Sequence, residues 1–284
     1  MEFFGIACGC GGSHATPFQP LGRRGFLAAS AAFLATSGTA RAQTAPPTAG
    51  PADPAAIEDL VAANRILFDQ GVVDGFGHVS VRHDKDPNRY MLARSMAPAL
   101  VTADDILEYD LDSVPVDPRG RISYLERFIH GEIYKIRPDV KAIVHSHSPG
   151  VLPFADTKVK LMPMNHIASF LGEDTPVFEI RDTAGPASDM LIRNAALGHA
   201  LAAALGPNSV ALMRGHGSVT AAQSLHHVVF RAIYTEVNAR VQSEALKLGQ
   251  PTYLNAEEAA AATVTNNALV DRPWELWKRR VSGK

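Results

Sequence analysis

Strand-like and helical segments alternate along the chain, and this alternation constrains its fold more than any other feature of the sequence. Apolar runs typical of strands cover residues 79–82, 90–94, 106–112, 141–148, 177–180 and 210–214. Helical spacing of apolar residues marks 57–68, 124–136, 187–205 and 224–248. This pattern predicts one α/β domain whose helices cover a central sheet. The short early strands favour antiparallel pairing over a doubly wound sheet.

The first 42 residues have the pattern of an export signal. Arg23 and Arg24 precede a short apolar stretch, and small residues follow up to the Ala-Arg-Ala pattern at 40–42. The stretch is shorter than the roughly 20 apolar residues that a membrane span requires. The arginine pair followed by Gly-Phe-Leu resembles a twin-arginine signal. The sequence therefore predicts a leader at 1–42 and a periplasmic mature chain, or a cytoplasmic chain if the leader is not functional.

Cleavage after Ala42 would remove Cys8 and Cys10, the two cysteines of the chain. Any metal ion in the mature chain must then be held by histidine or carboxylate side chains. Residues 43–55 are rich in Ala, Pro and Thr and predict a flexible linker. We expect the α/β domain to occupy residues 56–284.

The charge balance and the absence of nucleotide-binding motifs exclude several classes of binding partner. The chain has 27 Lys and Arg against 29 Asp and Glu, a net charge of -2, and so lacks the basic character of nucleic-acid-binding proteins. The sequence has no long basic run for an anionic membrane surface and no G-x-G-x-x-G or P-loop pattern for a nucleotide. We expect a small-molecule substrate, no nucleic acid and no membrane span in the mature chain.

Two histidines lie two residues apart in a strand-like run. In Ile143-Val-His145-Ser-His147, alternate residues of a strand point to the same side, which places the imidazoles roughly 6.5–7 Å apart along the backbone. At that spacing they can converge on one divalent ion. The alternative is a pair of solvent-facing histidines on an edge strand.

Two further residues can complete such a site. His216 lies between two glycines at a strand end, where the backbone can approach a ligand closely. Three neutral imidazoles with an open coordination position are typical of a catalytic metal site. Glu126, near the start of the helix before the histidine pair, is a fourth ligand, a general base, or an acid favoured there by the helix dipole. His130, one turn later, supports the site or packs in the core.

In this order the residues resemble the class II aldolase/adducin family. The matching elements are Gly77-His-Val-Ser-Val-Arg82, Glu126-x-x-x-His130, Arg137-Pro-Asp-Val-Lys-Ala-Ile-Val-His145-Ser-His147 and Gly215-His216-Gly217. The resemblance implies a single three-layer α/β/α domain with a mostly antiparallel sheet, assembled as a homotetramer with sites at subunit interfaces. It also implies a divalent metal ion on His145, His147 and His216: zinc first, with manganese, iron or cobalt as alternatives. Glu126 corresponds to the family's acid that alternates between metal ligand and proton shuttle.

The sequence departs from the sugar-phosphate aldolases of the family at the phosphate site. Those enzymes have Gly-Asn where this chain has Gly77-His78, and a Thr-Gly loop where it has Arg94-Ser95. They also have Ser-Ser where Tyr124-Leu125 precedes the glutamate. A phosphate would lose these donors at a cost of several kcal/mol, so we expect a non-phosphorylated substrate.

Four residues are candidates for binding that substrate: His78, Arg94, Ser95 and His166. Of these, we expect His78, Arg94 and His166 to contact a carboxylate or enolate oxygen. Arg94 can pair with a carboxylate or form a surface ion pair, and His166 can contact the substrate or pack in the core.

The motifs most closely resemble the branch of the family that decarboxylates hydroxylated or heteroaromatic acids. We therefore expect a metal-dependent lyase that stabilises an enolate and releases carbon dioxide from a hydroxy, keto or aromatic carboxylic acid. One alternative is a true aldolase that cleaves a hydroxy-keto acid or sugar. Two others are an oxygenase with Fe(II) on the three histidines and an adducin-like, non-catalytic interaction module.

Overall fold

The structure, a computed structural model, describes residues 45–282. The predicted leader at 1–42, with its arginine pair and both cysteines, lies outside the described residues. Within the described part, no helix combines the length and the apolar character needed to cross a membrane.

One sheet runs through the middle of the domain. Its strands are β1 His78–Arg82, β2 Arg89–Ala93, β3 Ile106–Asp110, β4 Ala142–Ser146, β5 Val177–Phe178, β6 Val210–Met213 and β7 Gly217–Ala222. They lie in the order β3-β2-β1-β4-β7-β6-β5. All neighbouring strands are antiparallel except β5 and β6, which are parallel. The prediction of a mostly antiparallel central sheet is confirmed.

Helices cover both faces of this sheet. They are α1 Pro54–Asp69, α2 Phe128–Ile136, α3 Leu152–Asp156, α4 Arg181–Ala184, α5 Ala195–Leu205, α6 Leu225–Leu248, α7 Ala256–Asn267 and α8 Asp271–Val281. Neighbouring residues of a strand point to opposite faces. Val144 of β4 accordingly packs in a core with α1, α6 and α8, and Ile143 packs in a second core with α2 and α5. The predicted three-layer α/β/α arrangement is confirmed.

Local capping and turn geometry shift two of the predicted helices. The helix expected over 187–205 begins only at Ala195, where the Asn194 side chain accepts a hydrogen bond from the Leu197 amide. Met190, within the expected helix, has a φ of 72°, which an α-helix does not allow. The helix expected over 124–136 starts with the 3-10 turn Leu125–Arg127. The predictions contain no element beyond residue 248, where the structure has α7 and α8.

The described part of the expected linker is attached to the edge of the sheet. Residues 45–53 contain no helix or strand. The Ala49 amide and the Thr48 hydroxyl nevertheless donate hydrogen bonds to the Glu108 carboxylate, at 2.8 and 2.6 Å. Arg89 also donates to the Pro47 carbonyl. These contacts place the segment beside β2 and β3, and the flexibility of the linker stays a prediction.

Candidate metal centre

Pairing of the central strands brings the distant histidines together. His145 is in β4, and His147 lies one residue beyond the end of that strand. His216 lies in the turn between β6 and β7, and its amide donates to the Met213 carbonyl at 3.0 Å. A side chain at Gly217 would collide with the Ser146 carbonyl oxygen, 2.0 Å from the position of its Cβ. Glycine is therefore required for the chain beside His216 to pass this close to β4.

Three histidines and one glutamate form a cluster at this point. The Nε2 atom of His147 lies 3.1 Å from the Nε2 atoms of both His145 and His216. The Glu126 Oε2 atom lies 3.5 Å from His145 Nε2 and 3.4 Å from His216 Nε2. One ligand atom from each of the four residues lies within 4.8 Å of every other. The structure thus brings together the four residues that sequence analysis proposed as metal ligands and catalytic acid–base.

Backbone groups orient these side chains toward a common centre. His145 Nδ1 lies 3.1 Å from the Ser218 carbonyl, and His216 Nδ1 lies 2.9 Å from the Met190 carbonyl. Because a carbonyl only accepts, both Nδ1 atoms carry the proton, and both Nε2 atoms present lone pairs. The Ile192 amide donates to Glu126 Oε1 at 2.9 Å, which leaves Oε2 facing the histidines. Such outer hydrogen bonds are typical of metal-ligating histidines.

The charges of the cluster follow from burial and proximity. Burial, together with the neighbouring His145 and His216, lowers the pKa of His147 to about 4. Burial alone would raise the pKa of Glu126, but positive charge on the adjacent His145 and His216, or on a metal ion that they would hold, lowers it well below its usual range. At neutral pH the centre therefore combines an uncharged His147 with an ionised carboxylate.

This donor set fits a divalent metal ion. Nitrogen atoms 3.1 Å apart can both lie about 2.0–2.1 Å from one ion. Without a cation, lone pairs directed at each other over this distance would repel. Three imidazoles and a carboxylate suit zinc, manganese, iron or cobalt.

A cavity of about 440 Å³ opens directly onto the cluster. Glu126 and His147 contribute to its floor, and His78 and Ser95 are further polar lining residues. Its walls are largely apolar and aromatic, and include Phe76, Met96, Tyr124, Leu125 and Leu191. Among the described residues, no lysine or arginine lines it.

The four candidate substrate-binding residues divide into two groups. His78 and Ser95 line the cavity. Arg94 is not a lining residue, and its Nε atom lies 2.6 Å from Asp105 Oδ1 in an ion pair, the alternative that sequence analysis left open. His166 is exposed and lies outside the lining, at the start of the 3-10 helix His166–Leu171.

Sequence reasoning assigned no role to three contributors to the site. Tyr124 packs its ring 4.6 Å from that of His78, and burial raises its pKa to about 12. The Met190 carbonyl and the Ile192 amide carry no side-chain signal, so no residue pattern could have revealed them. For His130 the structure shows a contact with His78 at 2.7 Å and none with the cluster's ligand atoms.

The domain thus combines an α/β/α fold with a cluster of three histidines and one glutamate, of which Glu126 and His147 line an apolar cavity. The chain belongs to the class II aldolase/adducin family: the family model described as "Class II Aldolase and Adducin N-terminal domain" matches residues 58–243. The resemblance stated from the motifs is confirmed.

The chain is similar in sequence to proteins that are named as decarboxylases. It is 35% identical to decarboxylase tropJ of Talaromyces stipitatus over 248 residues, 79% of this chain and 93% of that one. It is 30% identical to 3,4-dihydroxyphthalate decarboxylase of Arthrobacter keyseri, with coverage of 68% and 79%. Among solved structures, an aldolase II superfamily protein from Pseudomonas syringae has a TM-score of 0.69 at 22% identity, covering 82% of this chain and 95% of that chain. That likeness supports the fold alone.

Proposed function

We propose that this chain is a divalent-metal-dependent lyase that decarboxylates a non-phosphorylated, hydroxylated aromatic carboxylic acid. The observation that carries this proposal is the convergence of Glu126 with three histidines, at a point where Glu126 and His147 line an apolar cavity. The names of two relatives, both decarboxylases, one acting on a dihydroxyphthalate, support the same reaction class.

The cavity lining favours an aromatic acid over a sugar phosphate. Apolar residues such as Met96 and Leu125 line its walls together with Phe76 and Tyr124, and these suit the faces of a planar ring. The described lining residues include no lysine or arginine to pair with a phosphate, and burying an unpaired dianion is strongly unfavourable.

Each residue of the centre has a defined part in the proposed reaction. His145, His147 and His216 would hold the ion, which when bound would act as a Lewis acid toward substrate oxygen atoms. Glu126 Oε2 is free to accept the proton of a substrate hydroxyl group. The bond to the carboxylate carbon then breaks, its electron pair stays on the ring carbon, and carbon dioxide leaves. Glu126 returns its proton to that carbon, and solvent reprotonates the hydroxyl group.

Metal analysis combined with assays of carbon dioxide release tests the proposal. Purified protein should contain about one zinc, manganese, iron or cobalt ion per chain, and it should release carbon dioxide from a panel of hydroxylated benzoates and phthalates. His147→Ala should lose the metal and the activity while remaining folded by circular dichroism, whereas His199→Ala on the exposed face of α5 should retain both. Full activity of metal-stripped His147→Ala would refute the proposal.

The role of Glu126 is tested separately. Glu126→Gln preserves the size of the side chain but cannot shuttle a proton, so turnover should fall at least 100-fold. Glu132→Gln, a buried glutamate of α2 outside the cavity lining, is the matched control. Release of an aldehyde in place of carbon dioxide would favour the aldolase alternative. The absence of any metal-dependent turnover would favour an interaction module.

The oligomeric state and the cellular location of the protein stay predictions. The homotetramer is checked by light scattering of the purified protein, and a monomer in solution would contradict it. Export through the twin-arginine route is checked by cell fractionation of the wild type and of a variant with Arg23 and Arg24 replaced by lysine.

A further inference from the structure

Four buried polar side chains form a hydrogen-bonded chain that leads away from the cavity. His78 Nδ1 lies 2.7 Å from His130 Nε2, and His130 Nδ1 lies 2.6 Å from Ser80 Oγ. Ser80 Oγ lies 2.8 Å from the Tyr134 hydroxyl, which donates to the Lys141 carbonyl at 3.4 Å. All four side chains belong to residues that are at most 3% exposed. These hydrogen bonds are therefore shielded from bulk solvent.

The carbonyl at its far end gives the chain a preferred direction. When Tyr134 donates to the Lys141 carbonyl, the tyrosine oxygen accepts from Ser80, and Ser80 Oγ accepts from the Nδ1–H group of His130. His130 Nε2 then carries no proton and accepts from the Nδ1–H group of His78. The opposite direction makes one hydrogen bond fewer within the protein, because the Lys141 carbonyl loses its tyrosine donor.

This direction determines what His78 presents to the cavity. With the proton on Nδ1, Nε2 carries a lone pair, and no described residue lies within hydrogen-bond distance of it. His78 lines the cavity, and its ring is held between Tyr124 at 4.6 Å and His145 at 5.1 Å.

We propose that His78 Nε2 accepts a hydrogen bond from a hydroxyl group of the substrate and thereby selects hydroxylated acids. The inference rests on the proposed function and adds a specificity-determining residue to it. It revises the expectation that His78 binds a carboxylate or enolate oxygen, since a lone pair repels an anionic oxygen. The other members of the hydrogen-bonded series are positioning residues: His130, Ser80 and Tyr134. They act on the substrate only through His78, because none of them lines the cavity.

The tautomer can be measured without any substrate. In zinc-loaded protein labelled with ¹⁵N-histidine, the His78 signals are assigned by their loss in His78→Phe. We expect Nδ1 to have the chemical shift of a protonated nitrogen and Nε2 that of an unprotonated one. Tyr134→Phe frees Ser80 to donate to His130, so the two tautomers should become comparably populated. Tyr109→Phe deletes another buried hydroxyl, bonded to Ser123, and should leave the signals unchanged.

Ligand selectivity tests the contact itself. Salicylate and benzoate differ by one hydroxyl group, and their dissociation constants are measured by calorimetry on the zinc-loaded protein. We expect salicylate to bind about 3- to 10-fold more tightly, the value of one hydrogen bond. This advantage should shrink most in His78→Phe, shrink less in Tyr134→Phe and persist in Tyr109→Phe.

Two results would overturn the inference. One is a protonated Nε2 in the wild-type protein, and the other is a salicylate advantage that is absent in the wild type or unchanged in His78→Phe. Failure of the proposed function is distinguishable from these results, since it would appear as missing carbon dioxide release from every acid tested. The histidine signals and the binding ratio do not depend on turnover.

Discussion

Replacing Gly217 by alanine tests whether the close approach of β7 to β4 builds the metal centre. A Cβ atom at Gly217 would lie 2.0 Å from the Ser146 carbonyl oxygen and 3.0 Å from the His147 Cα atom. Cβ contacts under 3.0 Å are essentially absent from proteins, so the oxygen contact must lengthen from 2.0 to at least 3.0 Å. Because both neighbours are backbone atoms, no side-chain rotation relieves the collision.

Moving the backbone at Gly217 and Ser146 apart would displace the metal-ligating histidines next to them. Gly217 follows His216, and Ser146 lies between His145 and His147. Metal–ligand distances are tolerated within about 0.2 Å, and the required movement is several times larger. We expect zinc affinity to fall by at least 10- to 100-fold, the range seen when groups that orient ligands are lost. The free energy of unfolding of the metal-free protein should fall by roughly 1–3 kcal/mol.

Chelator competition measures the zinc affinity, and urea unfolding of the metal-free protein measures its stability. Gly172→Ala is the control, because Gly172 has a φ of +63° but nothing within 4 Å of an added Cβ. It should lose roughly 1–3 kcal/mol from backbone strain and keep its zinc affinity. If Gly217→Ala binds zinc as tightly as the wild type, this glycine does not set the ligand spacing.

Three further predictions concern stability. Trp274→Ala should lower the free energy of unfolding in urea by about 3–5 kcal/mol, because this side chain of α8 is 2% exposed in the core; a loss below 1 kcal/mol would show that α8 is not part of that core. Burial lowers the pKa of His130 to about 3, so the unfolded chain takes up a proton near pH 6.5 that the folded chain does not. The contribution of His130 to the free energy of unfolding should therefore be fully present above pH 6.5 and be lost as the pH falls toward 3, with a loss of about 2 kcal/mol at pH 5. His130→Gln should remove this part of the pH dependence. Zinc at 100 times its dissociation constant should stabilise the wild type by about 2.7 kcal/mol and leave His147→Ala unchanged.

The sequence predicts those site residues that belong to a short, local sequence pattern. His145 and His147 are separated by one residue on a strand, and His216 lies between two glycines after an apolar run. Each pattern indicates chemistry by itself, and the family resemblance relates them to one another. The order of the strands in the sheet is a consequence of long-range pairing, for which single-sequence patterns give only the antiparallel tendency.

The parts that escape prediction depend on tertiary contacts. Apolar spacing over 187–205 predicts a continuous helix, but Asn194 caps the helix late, and the preceding loop carries Met190 and Ile192 to the centre. Whether Arg94 meets a substrate carboxylate or a protein one depends on which is nearer in space, and Asp105 is 2.6 Å away. The spacing of residues in the sequence predicts neither the late start of α5 nor the ion pair of Arg94.

β4 links the stability of the domain to the geometry of the site. Ile143 and His145 point to the face covered by α2 and α5, and Val144 points to the opposite core. A slip of one residue would move His145 to the opposite face, into a core of aliphatic and aromatic side chains without the Ser218 carbonyl as a partner for Nδ1. Burying a polar group without a hydrogen bond is unfavourable, so the register that satisfies His145 is also the one that directs it at the metal. Pairing with β1 and β7 on both sides, where His145 faces His78 and Val219, fixes the same register twice. Substitutions that loosen β4 should therefore weaken folding and metal binding together.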